Sequence, residues 1–384
     1  MSQSYLVPDY YPQFACKMGA CRHACCVGWP ISITLTDYFR LLGVECSPDL
    51  RRRIDVALHI APRPMPEAYA QILPRYDGQC PLRMEDGRCQ VQAELGEEAL
   101  ATVCRLYPRG VRTGEWHECS CANSCEAVLE LLLNRTEPLD FVELAHDFRV
   151  PEATQRVHRF EDGGRGQEIR LWFIRLMQRR EYPLHQRLLL LGTAMRTMDD
   201  ALSAHDADRV DALLTGREKV DAPSLAPVDH QQLQSGLDIV SRMISMFDET
   251  SVSIREYGEA ALHYFGEGEA ELSRFVEAEK RFCALVPQWT IWFEHMMVNH
   301  MFFTQFPFQD RPVSLQDEYV ALCAVYALTH FLCVGYAAQH SELSGLVDVA
   351  AAAFRLMEHT EFDRYASVML KQLGQGGWSG LQPG

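Results

Sequence analysis

The chain has 384 residues, a hydrophobic content of 47%, a charged content of 23% and a formal net charge of −16. This composition is typical of a folded protein, and the length allows two or three hydrophobic cores. The negative charge disfavours binding to nucleic-acid backbones and to anionic membranes, so neither is expected as a partner.

The amino-terminal segment, MSQSYLVPDYYPQ, contains neither a basic region nor an apolar run. It therefore does not have the pattern of a secretory signal, and we expect a cytoplasmic protein. Because the cytoplasm is reducing, disulfides are disfavoured there, and clustered cysteines indicate metal or redox chemistry instead.

Eleven of the fourteen cysteines lie between Cys16 and Cys125. Most of them fall in four short, turn-rich segments: ACKMGACRHACC, CPLRMEDGRC, CRLYP and CSCANSC. A metal site needs thiolates from separate loops, and four are enough for zinc or for an iron–sulfur cluster. Eleven are too many for one site. Adjacent Cys25 and Cys26 point opposite ways on an extended backbone, so either a tight turn lets both bind one metal or they serve different sites.

A helical pattern begins at Glu126. Apolar residues recur at spacings of three and four in EAVLELLL, IRLWFIRLM and LHQRLLLLGTAM. Further helices are predicted near residues 229–248, 254–265, 269–285, 288–304, 315–338, 342–358 and 361–373. A loop or break is predicted at 215–228, and GVRTGEWHE predicts a small hairpin around Thr113.

These patterns predict a mainly α fold in two parts. Residues 1–125 are expected to form a Cys-rich, mostly irregular metal-binding or iron–sulfur-binding domain with a little β structure, and residues 126–384 an all-helical domain with a break near 215–228. The formal net charge changes at the same boundary, from −1 in the first part to −15 in the second. Cys283, Cys323 and Cys333 lie in apolar helical sequence and are predicted to be buried small hydrophobic residues.

The segment 319–338 is about as long as the roughly 20 residues that cross a bilayer. It contains Thr329, His330 and three tyrosines, and no basic cluster flanks it. We therefore interpret it as a buried helix in the middle of a helical bundle.

Three motifs resemble the flagellin lysine-N-methylase family, which lies within a wider group of zinc- or iron-chelating proteins. They are F-x-C-x4-C-x3-C-C-x-G-W, which ends at Trp29, then DGQCPLRMEDGRCQVQAELGEEALATVCRLYPR, and then SCEAVLELLL. The similarity is dense over residues 14–132, and FEHMMVNHMFFTQFPF and FRLMEHTEF are similar more loosely. Carried over position by position, the resemblance implies eight metal ligands: Cys16, Cys21, Cys25, Cys26, Cys80, Cys89, Cys104 and Cys125.

Cys46, Cys119 and Cys121 fall outside the family pattern. The chain also departs from it at SCEA, where the family has a proline between Cys125 and Glu126. The resemblance implies a protein-lysine methyltransferase with a [4Fe-4S] cluster or zinc, S-adenosylmethionine as methyl donor and flagellin as protein substrate. From the residues alone, a non-catalytic zinc- or iron-binding module and an iron–sulfur redox protein remain as alternatives.

Methyl transfer to lysine needs a neutral amine, whereas a free lysine has a pKa of about 10.4, so a site must desolvate it or supply a base. The acidic helical region suits a cationic partner, although acidity also maintains solubility. The chain has no strand followed by G-x-G-x-x-G and no C-x3-C-x2-C loop, so the sequence identifies neither a methyl-donor pocket nor a catalytic residue.

Several other polar residues have two readings each. Trp29, Arg105 and Tyr107 lie beside cysteines in sequence, so they form either a pocket wall or the packing of a small Cys-rich core. Among the histidines of the helical region, His295, His300 and His330 are interpreted as core or pocket-lining residues rather than ligands. His359 is interpreted as a helix-surface residue rather than a ligand.

Overall fold

The computed structural model describes residues 2–22, 25–113, 116–150, 164–224, 230–247, 252–266, 269–308 and 314–374. Helices dominate these residues, and the predicted mainly α class is confirmed. The strands are β1 (Gln3–Pro8), β2 (Ile31–Ile33), β3 (Leu58–Met65), β4 (Ala68–Ile72), β5 (Arg109–Thr113), β6 (His117–Cys121) and β7 (Phe141–His146). The helices up to residue 133 are α1 (Leu35–Gly43), α2 (Pro48–Ala57), α3 (Gln90–Leu95), α4 (Thr102–Leu106) and α5 (Glu126–Leu133).

The rest of the described chain is helical. Its helices are α6 (Gly166–Met177), α7 (Leu184–Ser203), α8 (Ala207–Leu214), α9 (His230–Ser245), α10 (Val252–Phe265), α11 (Glu269–Leu285), α12 (Trp289–Phe303), α13 (Leu315–Ala337), α14 (Leu343–His359) and α15 (Phe362–Gln372). The seven helices predicted from residue 229 onward are therefore confirmed within a few residues at each end. No helix or strand is assigned within 215–224, the described part of the predicted break.

Two small sheets lie in the amino-terminal part of the fold. The larger has the strand order β5-β6-β1-β7, with β1 parallel to β6 and antiparallel to β7. The antiparallel pairing of β5 with β6 confirms the predicted hairpin, although residues 114 and 115 at its tip lie outside the described residues. The smaller sheet has the order β2-β4-β3.

None of the four helices of the Cys-rich region, α1 to α4, was among the predicted elements. α1 begins after Thr34, whose side chain accepts a hydrogen bond from the Asp37 amide, and α2 begins after Ser47, which caps the Leu50 amide in the same way. Each cap satisfies an amide that the first helical turn leaves unpaired. The turn-rich sequence around them hides these short helices.

The buried side chains form two clusters. The smaller lies within residues 31–101 and packs α1, α2 and the sheet β2-β4-β3. The larger combines β1, β6 and α5 with the helices that follow. A strand near the amino terminus thus shares a core with the helical region, and the domain boundary at residue 125 stays a prediction.

Helix α13 lies at the centre of the larger cluster. By length and composition it is the one helix of the described residues that could cross a membrane, and 89% of its apolar window is buried inside the protein. This agrees with its interpretation as a core helix.

Gly192 of α7 allows a close approach of α13. A Cβ added there would lie 2.7 Å from Oη of the buried Tyr319. We therefore expect Gly192→Ala to lower the free energy of unfolding by about 1–3 kcal/mol, because overpacking a core costs this much. Gly236→Ala in α9 is the matched control, since a Cβ there meets no atom within 4 Å and alanine favours helix. Urea unfolding measures both, and equal stability of the two variants would contradict the packing argument.

Candidate functional site

The segment of Cys16 and Cys21 is held against the helical region by ion pairs. Lys17 Nζ lies 2.8 Å from a carboxylate oxygen of Glu126 and 2.6 Å from one of Glu130, both on α5. Arg22 Nε donates to Asp348 on α14 at 2.9 Å. The cysteines of this segment are therefore placed at the junction of α5 and α14.

Four of the predicted metal ligands, from three segments, lie in or against the smaller core. We call Cys26, Cys80, Cys89 and Cys104 the Cys26 group. The backbone amide of Cys80 donates to the carbonyl of Cys26 at 2.9 Å, which holds two of the segments together. Burial raises the pKa of the Cys104 thiol, and the neighbouring thiols of the group raise it further.

Three other cysteines are neighbours on the side of α5. We call Cys16, Cys21 and Cys125 the Cys16 group. Burial raises the pKa of Cys21 to about 12, and the charges of Glu126, Cys125 and Cys16 add to that rise.

Cys25 lies between the two groups. A hydrogen bond with the Cys26 side chain, then burial, raises its pKa, and Cys104 and Cys16 are further neighbours that raise it. The same hydrogen bond lowers the pKa of Cys26 to about 7, and the positive charges of Arg83 and Arg355 help to offset the effect of burial. Cys26 is thus the thiol most ready to act as a thiolate near neutral pH.

The cysteine side chains of these groups are the type of donor that binds a metal ion or an iron–sulfur cluster through thiolates. Among the described residues, no three cysteine, histidine or acidic side chains are grouped as they would be around one metal ion. An iron–sulfur cluster holds its cysteines further apart than a single ion does, because several irons and sulfides lie between them. The Cys26 group offers four soft donors from three segments, and thiolates are donors that both zinc and iron–sulfur clusters take.

The remaining cysteines have other surroundings. Cys119 and Cys121 are fully buried in β6 within the larger core, and Cys46 packs against the smaller one. Cys323 and Cys333 are buried in α13, as predicted, whereas Cys283 is only half-buried.

Three packed rings border these cysteines. We call the side chains of Trp29, Tyr107 and His359 the aromatic cluster. The ring centroid of His359 lies 5.1 Å from that of Trp29 and 6.0 Å from that of Tyr107. Trp29 Nε1 donates to the carbonyl of Cys25 at 2.7 Å, so the cluster contacts the first Cys-rich segment directly.

A chain of hydrogen bonds extends from the aromatic cluster to His300. His359 Nε2 lies 2.8 Å from Ser124 Oγ, which lies 3.0 Å from the Tyr107 hydroxyl. The amide of Ser124 donates to Glu358 at 3.3 Å, and the other oxygen of Glu358 lies 3.1 Å from His300 Nδ1. These bonds fix the orientation of the His359 ring.

His359 is exposed to solvent. Even so, the protein packed around the ring, together with the charge of Arg355, lowers its pKa to about 4. The His359 ring is therefore neutral at physiological pH.

The structure also places the other residues singled out from the sequence. Trp29 and Tyr107 pack against the His359 ring, whereas Arg105 donates to the carbonyls of Phe148 and Arg149 and so anchors a loop. His330 is buried among aromatic rings, and burial lowers its pKa to about 4. His295 is buried against the carbonyl of Leu132.

Ser124, Arg355 and Glu358 were missed by the sequence analysis. Ser124 precedes a predicted ligand, which is a local signal that could have drawn attention to it. Arg355 and Glu358 lie in the FRLMEHTEF stretch of α14, where helical periodicity suggests nothing beyond packing.

The fold and the site define a mainly helical protein in which a cysteine-rich region packs against α5 and α14 of the helical region. The model of the FliB lysine N-methylase C-terminal domain matches residues 170–381. The chain therefore belongs to the FliB lysine N-methylase family, and the resemblance seen in the sequence is confirmed.

Curated relatives agree with this family. A lysine-N-methylase of Salmonella typhimurium is 31% identical over 139 residues, which is 35% of this chain and 34% of the relative. A lysine-N-methylase of Salmonella choleraesuis matches to the same extent. A flagellar biosynthetic protein FliU of Salmonella muenchen is 32% identical over 107 residues, 28% of this chain and 62% of the relative. The match thus spans about a third of the length of the two lysine-N-methylases, and no solved structure matches the chain.

Proposed function

We propose that this chain is a protein-lysine N-methyltransferase that acts on flagellin with S-adenosylmethionine as methyl donor. The observation that carries the proposal is the family match over α6 to the carboxyl-terminal segment, supported by relatives named for lysine methylation and for flagellar biosynthesis. The formal net charge of −15 in residues 126–384 favours the approach of a lysine-bearing surface.

The cysteines are proposed to bind a [4Fe-4S] cluster, or zinc, on which activity depends. The Cys26 group supplies four donors, while the Cys16 group with Cys25 supplies the other members of the predicted ligand set. When bound, such a centre ties several chain segments together and keeps its thiolates unprotonated. Beside Cys25 the chain itself places the aromatic cluster, whose His359 ring is oriented by the hydrogen bonds of Ser124, itself bonded to Glu358.

We expect incubation of metal-replete protein with S-adenosylmethionine and flagellin to add increments of about 14 Da to lysines and to no other residue type. Peptide mass spectrometry measures this. The same reaction without S-adenosylmethionine is the control. Unmodified flagellin under these conditions would favour a non-catalytic metal-binding module, and a reversible change in the visible spectrum on reduction would then favour a redox protein.

A further inference from the structure

We propose that the cavity between the carboxyl-terminal ends of α11 and α13 binds the methyl donor, S-adenosylmethionine. This inference rests on the proposed function and deepens it, since it assigns a place to the co-substrate that the sequence does not locate. The cavity has a volume of about 350 Å³, within the range of small-molecule sites, and we call it the Arg281 cavity. Its lining includes Arg281, Leu285, Ala337, Gln339, His340 and Ser341.

Arg281 gives the cavity a fixed positive charge. Its Nη1 donates to the carbonyl of Ala338 at 3.1 Å, which ties the end of α11 to the end of α13. Its Nε lies 3.9 Å from Glu277, too far for a hydrogen bond, and the side chain is about half exposed. A guanidinium carries five N–H donors, so Arg281 keeps donors for a ligand. A carboxylate is the group that this planar donor set binds best.

The end of α13 gives the same cavity a partial negative charge. Ala337, the last residue of this 23-residue helix, lies in the cavity wall. The carboxyl-terminal end of a helix favours positive charge, such as an ammonium or a sulfonium. A ligand with a carboxylate and a positive centre therefore finds complementary charge for both. The methionine part of the methyl donor is such a ligand.

His340 gives the cavity an aromatic surface. Its ring stacks on that of Tyr336, with the centroids 4.4 Å apart and the planes at 24°. His340 nevertheless remains exposed and lines the cavity. The stack on Tyr336 holds the imidazole in one orientation, and its uncovered surface can pack against a flat ring. Purine bases stack on aromatic side chains of this kind, including histidine, so the adenine part of the donor fits here.

The Arg281 cavity and the segment of the Cys16 group are supported by the same helix start. Gly345, in the first turn of α14, leaves room for the Tyr336 ring that carries the stack. In that turn, the carbonyl of Ser344 accepts a hydrogen bond from Arg22, the neighbour of Cys21, at 3.3 Å. The proposed donor site and the proposed metal ligands are therefore linked through α14.

Binding of S-adenosylhomocysteine and of adenosine, measured by calorimetry without flagellin, tests the assignment without turnover. Arg281→Met should weaken S-adenosylhomocysteine binding about tenfold, because it removes charged hydrogen bonds to the carboxylate. It should leave adenosine binding unchanged, since adenosine has no carboxylate. His340→Ala should weaken both ligands about tenfold, because both lose the stacking of the base.

Arg274→Met is the matched control. Arg274 is also an exposed residue of α11 that donates to a helix-end carbonyl, that of Phe265 at 2.7 Å, but it does not line the cavity. This variant should bind both ligands as the wild type does, and circular dichroism confirms that each variant is folded.

The outcomes separate the binding site from the activity. Unchanged S-adenosylhomocysteine binding in folded Arg281→Met and His340→Ala would overturn the site even if flagellin is methylated. An equal loss of both ligands in Arg281→Met would overturn the carboxylate contact and indicate a structural role. The expected pattern of losses without any methylation would uphold the site and reject the proposed activity.

Discussion

Replacing Cys104 by serine is expected to remove most of the bound metal and to lower the free energy of unfolding by more than ~2 kcal/mol, because metal binding to such a site is coupled to folding. Cys104 lies among the three other thiols of the Cys26 group, and serine keeps its size while losing the soft donor. Iron, zinc and acid-labile sulfide in protein purified without oxygen, together with the visible spectrum, measure the loss.

Cys46→Ser is the matched control, since Cys46 packs against the same core but falls outside the family pattern. It should keep its metal. Wild-type metal content in Cys104→Ser would show that the Cys26 group is not the metal site. Cys25→Ser then tests whether Cys25 binds metal together with the Cys26 group or with the Cys16 group, and the metal content of this variant is the measurement.

The second large effect, a loss of stability, is expected from replacing Glu294, a fully buried carboxylate of α12. It receives hydrogen bonds from Arg180, with Nη2 at 2.8 Å, and from Arg187. Glu294→Gln leaves two guanidinium groups facing each other without their anion, so we expect a loss of about 3–5 kcal/mol in the free energy of unfolding.

Glu361→Gln is the control for an exposed ion pair. Glu361 lies 3.2 Å from Arg364 with both side chains about half exposed, and its loss should cost at most about 1 kcal/mol. Urea unfolding compares the two, and Glu294→Gln with Arg187→Met should recover part of the stability because one unpaired charge is removed. A loss no larger than that of Glu361→Gln would mean that water or rearrangement replaces the buried anion.

The helical half of the fold could be predicted because most helices there have a clear apolar period. In α12, all residues from Trp292 to Phe302 are buried, so its position followed from length and composition more than from amphipathicity. The pairing of β1 with β7 could not be predicted, since it joins Gln3 to His146 and no local pattern encodes such a distant partner.

The candidate site was predictable only in part, because some of its contacts also join residues that are distant in the sequence. Cysteine spacing identified the loops because few other roles demand so many thiols. The contact of Ser124 with His359 joins residues 235 positions apart, and neither residue type is unusual in its local sequence. Such a pair emerges only when α5 and α14 are packed together.

The ion pair of Arg22 with Asp348 has a consequence for the order of events during synthesis. On the ribosome, the thiols near the amino terminus emerge more than three hundred residues before the α14 carboxylate that anchors their segment. Throughout that interval the growing chain presents its cysteines without their final support. These cysteines therefore stay accessible on the nascent chain until α14 has been made and Asp348 can pair with Arg22.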